Sequence, residues 1–92
     1  MIIRIIGDGQ YHVDSALVDS LNVIDNKIVE FVQNGDEQEY QANLAALIDT
    51  IKQHGQVVDD RELIESDIIV PPADMTLNEA REVFSGTGIF EG

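Results

Sequence analysis

DSALVDSLNVIDNKIVEFVQNGDEQEYQANLAALIDTIKQH, residues 14–54, is the stretch whose reading decides the fold. Asn34-Gly35-Asp36 divides it. A glycine just past a helix can take the left-handed conformation that closes it, and the aspartate that follows can cap a new helix at once. Before this joint, Leu17, Val18, Leu21, Ile24, Ile28, Val29, Phe31 and Val32 recur at three- and four-residue spacing after a cap at Asp14 or Ser15. They cover an arc of about 160°, wide enough for the helix to be sandwiched between a sheet and a neighbouring helix. After the joint, Tyr40, Leu44, Leu47, Ile48 and Ile51 form a stripe of about 100°, ending at His54-Gly55. An antiparallel helical hairpin follows, with its first helix as the buried spine and its second as an acidic outer cover.

Asp25 falls inside the apolar arc of the first helix. An ionised carboxylate there is costly unless it is paired or sits at an edge. One reading makes it a site acid. The reading favoured here is a carboxylate at the rim, reaching water or an arginine, because no second acid, His or Lys lies one turn away on that face.

Working outward, Met1 to Ile6 is apolar and β-branched with Arg4 as its only polar member, the pattern of a mostly buried strand. Gly7-Asp8-Gly9 breaks it and Gln10 to Val13 resumes it, so residues 2–13 read as a β-hairpin. A dinucleotide loop is excluded by spacing, since the third glycine position is His12 and no helix opens at the second glycine. On the other side, residues 56–67 are polar and acidic and read as a solvated loop. Their carboxylates lack the mid-loop glycine and alternating acids of a calcium site.

Ile68-Ile69-Val70 is a short third strand stopped by Pro71-Pro72. Thr76 and Glu79 make a capping box for a short third helix carrying Leu77, Ala80, Val83 and Phe84 and ending at Gly86. The fold class expected is α+β, a single domain over residues 1–92. An N-terminal β-hairpin plus a short third strand is covered by the helical hairpin, with a short C-terminal helix beyond it.

Composition bounds function. Ninety-two residues carry 18 acidic against 5 Lys plus Arg, a formal charge of -13. Such a surface repels phosphate backbones and anionic headgroups, so neither nucleic acid nor direct membrane insertion is expected. The charge reads first as solubility or adaptation to a salty cytoplasm, and second as a surface for a basic partner. The absence of cysteine excludes disulfides and thiolate chemistry. With no spanning stretch and no basic leader after Met1, a cytoplasmic protein is the default.

His12 and His54 lie on different elements without a third ligand, and no serine or threonine stands beside a histidine and an acid. No metal, no cofactor and no enzyme are expected. Ile89 and Phe90 sit outside any regular element, either stapling the tail to the body or anchoring a partner, the staple being favoured. Ala16 and Val23 lie together on the outer side of the first helix. These four, Ala16, Val23, Ile89 and Phe90, are the candidate partner contacts.

The order of segments resembles PspAA, the small domain found beside phage-shock-protein A homologues in bacteria and archaea. Four stretches carry the resemblance: Met1-Ile2-Ile3-Arg4-Ile5-Ile6-Gly7-Asp8-Gly9-Gln10-Tyr11, the helical pair with its Asn34-Gly35-Asp36 joint, Ser66-Asp67-Ile68-Ile69-Val70-Pro71-Pro72-Ala73-Asp74, and Gly88-Ile89-Phe90-Glu91-Gly92. It spans essentially the whole chain. It implies a non-enzymatic partner of a PspA-like, membrane-remodelling protein in the envelope stress response, membrane-associated only through that partner. It implies no catalytic or ligand residue.

A different function, from charge alone, is an acidic decoy for a basic nucleic-acid-binding protein. That role needs carboxylates spaced like phosphates along one face, whereas these are scattered over both helices and a loop. A small sheet edge also leaves room for pairing between copies as a homodimer.

Overall fold

The computed structural model describes residues 1–62, 64–84 and 88–90. Among them are four strands and three helices: β1 (Ile2–Ile5), β2 (Gln10–His12), α1 (Ser15–Asn34), α2 (Glu37–His54), β3 (Gln56–Val57), β4 (Ile68–Val70) and α3 (Leu77–Val83). The fold is α+β, as expected, with one strand more than the sequence suggested. The strands form one sheet in the order β3-β2-β1-β4. β1 runs antiparallel to β2, and β2 antiparallel to β3. β4 returns parallel to β1 after both long helices. The extra strand, β3, is only two residues inside the stretch read as loop, too short for alternation to reveal. It is held by pairing Gln56 with His12 and Val57 with Tyr11.

Each boundary has a local cause. The β1–β2 turn uses Gly7 at φ 85°, a conformation that a side chain would strain. Asp14 caps α1 by accepting from the Leu17 N–H at 2.8 Å. Gly35 ends α1 at φ 71°, and Asp36 then caps α2 through the Glu39 N–H. Thr76 and Glu79 form the expected capping box at the start of α3. That helix ends at Val83, and Gly86, the expected stop, lies outside the described residues.

One core joins the layers. β1 contributes Ile3 and Ile5, β2 Tyr11, and β4 Val70, while α1 contributes Leu21, Ile28, Val29 and Val32. The α2 stripe of Tyr40, Leu44, Leu47 and Ile51 is fully buried. Tyr40 donates its hydroxyl to the Met75 carbonyl at 2.7 Å and meets Phe84 edge-on, with ring centroids 6.4 Å apart. That pair brings the segment before α3, and α3 itself, onto the helical hairpin. Val83, expected on the apolar side of α3, is instead exposed, while Ala80 and Phe84 face inward.

Candidate interaction surfaces

The helices cover one face of the sheet, and the alternation of β1 therefore sends Arg4 to the other. Residues paired directly across strands share a face, and Arg4 pairs with Gln10 on one side and Ile69 on the other, while Ile2 pairs with His12. The outer face thus carries Ile2, Arg4, Gln10, His12 and Ile69. Asp60, Glu62, Ile64 and Ser66 lie over its Gln10 end. The Gln10 amide Nε2 donates to the Ile64 carbonyl and to Ser66 Oγ, both at 2.8 Å, and Gln10 is buried as a result.

The remaining strip is open. Ile69 is 54% exposed beside Arg4, and Ile6, just past the end of β1, is 50% exposed. Arg4, Gln10, Asp60, Glu62 and Ile64 line a shallow depression beside it, which places two carboxylates on the Gln10 side of the arginine. Sequence reading passed over this strip because each residue looks like core when the strand is read alone. The signal was the Ile-Ile-Arg-Ile alternation around Arg4.

The hairpin turn is tied to α2 by charge. Asp8 accepts the Tyr11 hydroxyl at 2.9 Å and pairs with Lys52 Nζ at 2.9 Å. The Lys52 ammonium, and after it the Tyr11 hydroxyl, hold the Asp8 carboxyl below its ordinary value. Burial, and then the bond to Asp8, push the Tyr11 hydroxyl upward. At the far end, Arg61 grips Asp59 with its guanidinium, lowering that carboxyl too. Both acids are exposed, and their role is to fix turns.

Asp25 is neither a site acid open to solvent nor a carboxylate at the rim. Its exposure is 0%, and its partners are backbone: Oδ1 accepts the Ile89 N–H at 3.1 Å and Oδ2 the Phe90 N–H at 2.9 Å. The rim expectation failed because its partners come from 64 and 65 positions along the chain, beyond any helical spacing. Desolvation raises its carboxyl above the ordinary value, and the two amides pull it partly back.

The candidate contacts divide accordingly. Val23 is 56% exposed and Ala16 is exposed, both on α1. Ile89 is half-buried against the core, and Phe90, 1% exposed, lies inside it. Phe90 therefore offers no surface while docked, and the tail is a staple. Glu91 and Gly92 lie outside the described residues.

The fold also brings together His12 and His54, which sequence spacing left apart. With Asp14 and Gln56 they line one shallow depression beside the start of α1. Among the described residues, however, no group of His, Asp or Glu is arranged to hold a metal ion. No helix of the described residues is long and apolar enough to cross a membrane.

The family model of PspAA, described as PspA-Associated protein, matches residues 1–92, from the first strand through the docked tail. This chain belongs to the PspAA family. No curated protein and no solved structure matches it. Membership covers the sheet with its open outer strip, the helical hairpin and the Asp25-bound tail together. The PspAA name points to a role related to PspA.

Proposed function

We propose that this PspAA chain is a non-enzymatic interaction module that binds or regulates a PspA-like, membrane-remodelling protein in the envelope stress response. The observation that carries the reading is the family match over the whole chain, residues 1–92. Physical features support it. A formal charge of -13 favours approach to a basic partner and disfavours lipid headgroups or nucleic acid. The open strip of Ile6, Arg4 and Ile69, with Asp60 and Glu62 on its Gln10 side, offers apolar contact next to carboxylates. The basic, apolar face of an amphipathic helix would match it. The outer side of α1, with Ala16 and Val23, is the second surface of this kind. The protein would then act in the cytoplasm and reach the membrane only through its partner.

The test is capture from native cells, followed by binding of the purified chain to the PspA homologue made by the same organism. Recovery of that homologue is expected, with binding weakened at least about tenfold by Ile69→Asp, a loss of about 1.4 kcal/mol. Capture of no PspA-type protein, in cells that make one, would remove the proposal. Salt-sensitive capture of a nucleic-acid-binding protein instead would move the reading to an acidic decoy.

A further inference from the structure

Gly88-Ile89-Phe90 is held the way a peptide ligand is held. Its backbone N–H groups at Ile89 and Phe90 donate to the two oxygens of one buried carboxylate, Asp25, at 3.1 and 2.9 Å. The Phe90 ring is an anchor sunk into the core, and Ile89 lies half-buried beside it. Gly88 is specified as well. It stands at φ 84°, and a Cβ built there would collide with the Asp25 carboxylate. Three successive positions are therefore read: no side chain, then an amide with an aliphatic group, then an amide with an aromatic ring. Main-chain bonds combined with an apolar anchor are a general means of peptide recognition, here applied to a bent segment.

None of these contacts depends on how the tail is joined to the rest of the chain. A second copy carries the same three residues and would meet the same groups. Among the described residues Asp25 has no salt bridge and accepts its hydrogen bonds from these two amides. Once the tail leaves, both carboxylate oxygens lose their amide donors and the apolar groove that held Phe90 opens to water. Such a groove favours replacement of the tail over simple opening.

We propose that the groove around Asp25 is a receptor for a bent Gly-Ile-Phe segment, and that a second copy's tail can fill it in place of the chain's own, joining two copies by exchanged tails. The chain's own tail is present at an effective concentration of about millimolar, so exchange is silent in dilute solution and appears when copies are concentrated. This inference stands on the Asp25 geometry and is independent of the PspA reading.

The test uses full-length protein with Gly88→Val, whose side chain blocks its own tail, and an N-acetylated peptide of the sequence Gly-Ile-Phe-Glu-Gly. Amide NMR reports whether the Ile89 and Phe90 signals leave their buried positions and whether the fold persists. The expected result is a folded protein with a released tail that binds the peptide at least about tenfold more tightly than wild type, where the native tail competes. Adding Asp25→Ala should abolish that binding. Wild type should dimerise as its concentration approaches the millimolar range, and Gly88→Val should not.

A folded Gly88→Val protein with a released tail and no affinity for the peptide overturns the proposal. So does a wild-type chain that stays monomeric at millimolar concentration. If Gly88→Val and the milder Gly88→Ala both unfold, the tail is an inseparable part of the core and the proposal likewise fails.

Discussion

Asp25→Ala removes the acceptor for two buried amides, and its cost can be worked from the contacts. A buried donor left without a partner costs about 1–3 kcal/mol, so the Ile89 and Phe90 N–H groups together give about 2–6 kcal/mol. Removing a desolvated carboxylate relieves part of this, because burial opposes its charge. A net loss of about 2–3 kcal/mol is expected at neutral pH. Against the roughly 5–14 kcal/mol typical of a chain of 92 residues, that is a large share. It corresponds to a melting temperature lower by about 10–20 °C.

The loss should also depend on pH. The Asp25 carboxyl is raised above its ordinary value in the folded state, so the native protein binds this proton more tightly than the unfolded chain does. Its stabilising contribution is full below the unfolded value and is lost as pH rises through the raised folded one. The gap between wild type and Asp25→Ala should therefore be widest in acid and narrow over that window. Paired urea titrations across pH, followed by circular dichroism, measure it. A melting temperature within about 4 °C of wild type, or a gap that widens with rising pH, would refute the account of Asp25 as a desolvated acceptor for the tail.

Tyr40→Phe should cost about 1–2 kcal/mol in chemical denaturation, since the Met75 carbonyl loses a buried 2.7 Å partner while the ring packing survives. Gln10→Ala should free the segment over the outer sheet face, read as faster hydrogen exchange at Ser66 and readier proteolysis within residues 59–66, with the core amides unchanged. Lys52→Met should let Asp8 titrate closer to 3.8, because the ammonium is the main cause of its lowering; carboxyl NMR shifts report it, and no change would deny the pair any influence in solution.

Local rules made much of the fold legible. The Asn34-Gly35-Asp36 joint, the Asp14 cap and the Thr76–Glu79 box act within one helical turn, and each appears where its residues placed it. Of the five α2 residues that spacing selected, Tyr40, Leu44, Leu47 and Ile51 are buried and Ile48 is partly buried. β3 was hidden because two residues carry no period, and their strand geometry exists only through β2. The outer strip was half-legible: alternation turns Arg4 outward, but only the parallel return of β4 places Ile69 beside it.

By itself, then, the sequence determined the two long helices with their ends, the start of the third, the first hairpin and the acidic charge, because caps, turns and hydrophobic periodicity act over a few neighbouring residues. Tertiary structure alone decided the fate of Asp25 and of the tail. A carboxylate in an apolar arc can be a site acid, a rim residue or a buried acceptor, and the energies differ only through what surrounds it. Its partners lie more than sixty positions away, at Ile89 and Phe90. No local pattern encodes that separation. Closing the chain onto α1 placed two amides at the carboxylate and sank Phe90 into the core, turning a residue that could have faced a partner into the anchor of the chain's own tail.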